Sequence, residues 1–181
     1  WITELEKLEV LRVPGNKLKE QDVKKIYSLE SLEELVVPGN QLTKLPEGIG
    51  KLKNLKVLNL QYNGVDSILL QLPEDLTKLD SLKILDLSWN QFQTLPNMIF
   101  ELRGLNALDI SRNALEEIPG SIHNLKKLTR LRASNNSIRV FPQQILSLRK
   151  LQSLNLSKNQ IKEIPGWILE LENLEVLDLS Y

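Results

Sequence analysis

Asp86 and Asp109 occupy the same place in two near-identical hexapeptides, LDLSWN at 85–90 and LDISRN at 108–113. Two carboxylates at matched positions could do general acid–base work if burial or a cleft split their pKa values. The leucines around them alternate with polar residues, the period of a strand with one buried face. An open strand face supplies no cleft, so a catalytic role is set aside. Ser88, Ser111, Ser134, Ser157 and Ser180 recur at another fixed position. The single histidine, His123, does not accompany them, so no activated nucleophile follows. Hydroxyl residues at a strand end read instead as turn chemistry. The chain has no cysteine, which rules out disulfides and thiolate metal sites and fits a reducing compartment. No glycine-rich phosphate loop is present. No cofactor or metal is expected, and His123 reads as a solvated surface residue.

Recognition is better served than catalysis. If Leu85 and Leu87 point inward, Ile84, Asp86 and Ser88 face solvent. The same assignment places Val57 and Ile84 side by side, with Tyr62 and Trp89 at the strand edge. Asp86 and Asp109 come next, then Arg130 and Arg132, with Arg112 at the edge beside Trp89. Aromatic and arginine side chains dominate binding hot spots, and exposed apolar neighbours can form a desolvated centre. Val57, Tyr62, Ile84, Asp86, Trp89, Asp109, Arg112, Arg130 and Arg132 are therefore the expected partner-binding residues. The competing reading is that Asp109 and Arg132 only pair with each other and stay hydrated.

The elements that would position these residues come from a repeat. Segments of the form LxxLxLxxN begin at residues 8, 32, 55, 82, 105, 128, 151 and 174, at steps of 24, 23, 27, 23, 23, 23 and 23. Their asparagines are Asn16, Asn40, Asn63, Asn90, Asn113, Asn136 and Asn159. The second halves read LPEGIGKLKNL, LPNMIFELRGL, IPGSIHNLKKL, FPQQILSLRKL and IPGWILELENL. One short strand cannot bury its leucines alone, whereas stacked units build a parallel sheet over a continuous core. Each asparagine falls where the chain leaves the strand and is expected to bond backbone groups left unpaired there.

Over the whole chain this pattern resembles the leucine-rich repeat family, with the LPxxI half similar to its 23-residue class. The resemblance implies an α/β solenoid, a curved horseshoe with the parallel sheet on its concave face and short helical turns and extended segments outside. Eight strands would give a concave face about 34 Å long. It also implies a non-catalytic protein-interaction module, with a protein as partner and an intracellular, cytoplasmic location. Two further readings follow from the same family. The repeats could be the targeting arm of a larger kinase/GTPase, cyclase or ubiquitin ligase, or belong to a secreted bacterial protein acting on host proteins.

Departures from the pattern are informative. The first unit lacks the outer proline, and Val23 and Ile26 at helical spacing predict a short α-helix. The unit starting at Leu55 carries four extra residues within GVDSILLQLP (64–73), either a functional loop or a tolerated bulge. Trp1 aligns with Trp167, both expected on the outer surface, and the chain enters and leaves in mid-unit without a polar cap. Residues 1–181 are thus expected to be one repeat domain cut from a longer array. Lysine plus arginine equals aspartate plus glutamate, at 23 each, which argues against a duplex nucleic-acid partner. No apolar run is long enough for a membrane span. The sequons at Asn135 and Asn155 fall on repeat positions and read as incidental.

Overall fold

In a computed structural model, described for residues 2–64 and 70–181, every repeat contributes one three-residue strand. These are β1 (Val10–Arg12), β2 (Glu34–Val36), β3 (Val57–Asn59), β4 (Ile84–Asp86), β5 (Ala107–Asp109), β6 (Arg130–Arg132), β7 (Ser153–Asn155) and β8 (Val176–Asp178). They form one parallel sheet in chain order. Neighbouring repeats pair without slippage, so that Leu58 lies against Leu85, Asp86 against Asp109 and Asp109 against Arg132. The central leucines from Leu35 to Leu154 are sealed beneath the sheet. A one-residue slip would turn them all to water, and that fixes which side chains face outward.

In five of the repeats the other half is built around proline. Pro73, Pro96, Pro119, Pro142 and Pro165 each stand immediately before a 3₁₀ turn, from Glu74–Lys78 to Gly166–Glu170. A fixed φ suits that first position, where no N–H is needed. Ile99, Ile122 and Ile145 drop from these turns into the core. The first repeat has no such proline and forms α1 (Glu20–Ile26), burying Val23 and Ile26 as their spacing predicts. Strands at about 4.8 Å spacing on one side, with bulkier turns on the other, give the solenoid its curvature and put the sheet on the inside.

The asparagine row closes the fold at the end of the strands. Asn63 is fully buried. Its Nδ2 donates to the carbonyls of Val37, Leu60 and Gln61 at 3.0, 3.1 and 3.2 Å. Its Oδ1 accepts from the amides of Asn40 and Leu42 at 3.2 and 3.1 Å. Equivalent bonds recur at Asn40, Asn90, Asn113, Asn136 and Asn159. The row is structural, as the sequence indicates.

Two expectations need adjustment. Ser88, Ser111 and Ser157 are buried rather than solvated, because the preceding Asp or Asn side chain folds back over them. Trp167 lies in the outer turn Gly166–Glu170, as expected, but is half-buried there against Phe141, with ring centroids 5.3 Å apart in a T-shaped pair. Most of the four-residue insertion, and Trp1, lie outside the described residues. On the insertion's flanks, Leu70 is buried and Gln71 bridges in parallel to Lys44. His123 is exposed, as expected, its Nδ1 2.7 Å from the Gly120 carbonyl. Among the described residues no helix is long and apolar enough to cross a membrane.

Candidate partner-binding surface

The position just before each asparagine leaves the strand with positive φ. Glycine fills it at Gly15 and Gly39, at φ 65° and 64°, and Asn135 takes it at 56°. Tyr62, Trp89 and Arg112 occupy the same position at 53°, 55° and 55°. For a bulky L-residue that conformation costs about 1–2 kcal/mol, which glycine avoids.

These three strained residues are stacked. Tyr62 meets Trp89 edge to face, with centroids 6.1 Å apart and planes at 74°. The Arg112 guanidinium lies 4.1 Å from the centre of the Trp89 ring. Tyr62 is 64% exposed and Trp89 44%, so the stack stands out from the surface. Its two contacts are worth about 0.5–1.5 kcal/mol for the aromatic pair and about 0.5–1 kcal/mol for an exposed cation–π pair. That is less than the summed strain of three residues. Folding alone would be served as well by three glycines.

Beside the stack, Val57 pairs with Ile84 and both are half-buried. Asp86 and Asp109 are adjacent in register. Asp86 Oδ1 accepts from the Ser88 amide at 2.9 Å and from its hydroxyl at 2.6 Å, and Asp86 Oδ2 accepts from Asn59 at 3.2 Å. Asp109 Oδ1 accepts from the Ser111 amide at 2.9 Å. The Arg132 Nη1 lies 3.8 Å from Asp109 Oδ2, a long and exposed contact worth little. Burial lifts the Asp109 carboxyl above its ordinary range, and the Asp86 charge adds to this against the pull of Ser111 and Arg132. At β8 the same motif has the opposite sign: bonds from Ser180 hold the half-exposed Asp178 below the ordinary range. Arg130 and Arg132 project from β6, both exposed. All nine residues singled out in the sequence thus form one continuous surface on β3–β6 and the turns that follow.

Spacing alone gave the serines their turn role but not the shared left-handed conformation or the part of the aspartate in that turn. Both had a signal: glycine and asparagine at the edge position mark a site needing positive φ, and D-x-S mimics a turn. Among the described residues the arrangement is an open face of aromatic, acidic and basic side chains rather than an enclosed site.

The leucine rich repeat profile matches residues 6–65, 30–92, 80–138 and 133–181. A search of curated protein sequences gives no match. Among solved structures, the chain is similar to internalin C2 of Listeria monocytogenes, at 29% identity and a TM-score of 0.81, covering 97% of this chain and 73% of that one. It is also similar to a leucine-rich repeat protein of Leptospira interrogans, at 26% identity and a TM-score of 0.62, covering 99% of this chain and 62% of that one. A third likeness is to the ectodomain of the plant membrane receptor kinase GASSHO1/SCHENGEN3 from Arabidopsis thaliana, in complex with Casparian strip integrity factor 2. That match has 29% identity and a TM-score of 0.67 and covers 99% of this chain and 25% of that one. Proteins of this fold are in general non-catalytic interaction modules. With profile matches running from residue 6 to residue 181, the chain belongs to the leucine-rich repeat family.

Proposed function

We propose that this chain docks a protein partner on the exposed face of its sheet, centred on Tyr62, Trp89 and Arg112. Val57 and Ile84 supply apolar contact, and Asp86, Asp109, Arg130 and Arg132 supply charge complementarity. One observation carries the reading: three bulky side chains stand consecutively in a left-handed position that glycine fills without strain in the first two repeats. Strain across the row that the stacking contacts repay only in part points to a use in binding. Aromatic and arginine residues at the centre of a face are the usual anchors of such contacts. The rigid ladder beneath them lowers the entropy lost on association. The related plant ectodomain, solved with a bound factor, supports a binding role for the fold. The lack of cysteine leads us to place the domain in a reducing compartment such as the cytoplasm.

The test is the double variant Tyr62→Ala/Trp89→Ala, titrated against the native partner. Affinity should fall at least about tenfold, or about 1.4 kcal/mol, while the melting temperature stays within a few degrees. Full affinity in a folded double variant would remove the reading.

A further inference from the structure

A net charge of zero conceals a sharp division of charge along the opposite edge of the sheet, where each chain segment enters its strand. The six-residue loops entering β3 to β7 carry ten lysines and arginines against Asp80 and Glu101. The loops entering β1, β2 and β8 carry Lys7 alone against eight glutamates. Backbone bonds tie these loops into one continuous edge. Lys83 donates to the Lys56 carbonyl, Asn106 to that of Lys83, Thr129 to that of Asn106 and Gln152 to that of Thr129, each at 2.8 Å.

Part of the basic charge is structural. Lys53, Lys126 and Arg149 reach backbone carbonyls at 3.0, 3.4 and 3.4 Å on the following repeat, where cations suit the end of a helical turn. Carbonyls satisfy hydrogen bonds but leave the charge in place. Among the described residues only Lys56 with Glu33, at 2.6 Å, and Arg103 with Glu101, at 3.2 Å, are ion-paired here. Lys127 and Lys150, in adjacent loops, are exposed and make no ion pair among the described residues. Fold stability does not account for them.

We propose that this edge docks an acidic polypeptide segment of about six residues, separately from the aromatic surface across the sheet. The basic stretch spans five strands, about 19 Å at strand spacing, which about six extended residues match at 3.3 Å each. Glutamates at both ends repel a longer polyanion and so set the length. The edge favours a polypeptide over the other anionic polymers. Single-stranded nucleic acid needs aromatic platforms for its bases, and among the described residues the exposed aromatics, Tyr62, Trp89 and Tyr181, lie at the other end of the strands. A membrane surface needs apolar side chains to insert, and the leucines of these loops, such as Leu125 and Leu128, are buried.

The experiment is fluorescence anisotropy of labelled hexaglutamate at low ionic strength, beside labelled hexathymidylate and phosphatidylserine vesicles. Hexaglutamate should bind, weaken as salt is added and weaken at least tenfold in Lys127→Glu/Lys150→Glu, whose melting temperature is unchanged. The Tyr62→Ala/Trp89→Ala variant should bind it normally, so failure here and failure of the aromatic site are distinguishable. The proposal is overturned if hexaglutamate does not bind, or if charge reversal leaves binding intact. Equal or tighter binding of hexathymidylate, or capture by the vesicles, overturns it as well. So does self-association seen by sedimentation that the charge reversal abolishes, since the edge would then serve a second copy of the chain.

Discussion

Tyr62 and Asn63 are consecutive in the chain, as are Trp89 with Asn90 and Arg112 with Asn113, and in each pair the two residues do opposite things. The asparagine turns inward, is buried or nearly so, and bonds to two repeats at once. Its neighbour turns outward at positive φ, is exposed and makes only stacking contacts. The first is held by hydrogen bonds that no other side chain of that size supplies, so it does not vary along the chain. The second is free of the fold's demands and runs Gly15, Gly39, Tyr62, Trp89, Arg112, Asn135, Lys158. In a repeat protein the positions that vary at fixed geometry are the ones available for recognition.

That contrast can be broken at four points of decreasing effect. Asn63→Ala strands several buried backbone groups, at about 1–3 kcal/mol each. Urea denaturation should show a loss of about 3 kcal/mol or more, and a loss under 1 kcal/mol would mean the ladder does not hold the turns. Trp89→Ala should weaken partner binding by about 2 kcal/mol, read by calorimetry, with stability changed by under about 1 kcal/mol because lost stacking is small. Lys158→Gly relieves the same left-handed strain, at φ 53°, where no aromatic stack repays it. It should gain about 1 kcal/mol, whereas Trp89→Gly should come out near neutral.

The smallest effect concerns Asp109. Its folded-state pKa is raised, chiefly by burial, so the charged form is penalised in the fold. The penalty is absent below the ordinary carboxylate value of 3.8 and sets in as pH rises through the folded-state value. Asp109→Asn should therefore raise the melting temperature at pH 7, and the gain should vanish as pH falls below that range. Asn155 already accepts the equivalent serine bonds at 3.0 and 2.7 Å, so asparagine fits the turn. A gain that persisted at low pH would assign it to packing rather than to charge.

Most of the fold was legible because the repeat states each rule several times. Leucine spacing set the strands and their register, proline set the outer turns, and Val23 with Ile26 set helix α1. The residues of the proposed surface were legible as an outward-facing set, since alternation along a three-residue strand decides which side chains face out. What stayed hidden depends on contacts that spacing does not encode. Ser88 is buried because Asp86 bends back to it, a side-chain torsion rather than a register. Trp167 packs on Phe141 across two repeats, and the Arg112 contact with Trp89 needs the left-handed turn. The charged edge was hidden by summation, since the total is zero and only a loop-by-loop reading separates its parts.

The central claim is that the exposed side of the Tyr62–Trp89–Arg112 row, and not the outer turns, touches the partner. Site-specific photo-crosslinking tests it most directly, with p-benzoylphenylalanine placed at Trp89 and, separately, at exposed Gln144 in the outer turn Gln143–Ser147. The account predicts a discrete protein adduct from position 89 and none from position 144. An adduct from position 144 with none from position 89 would contradict it.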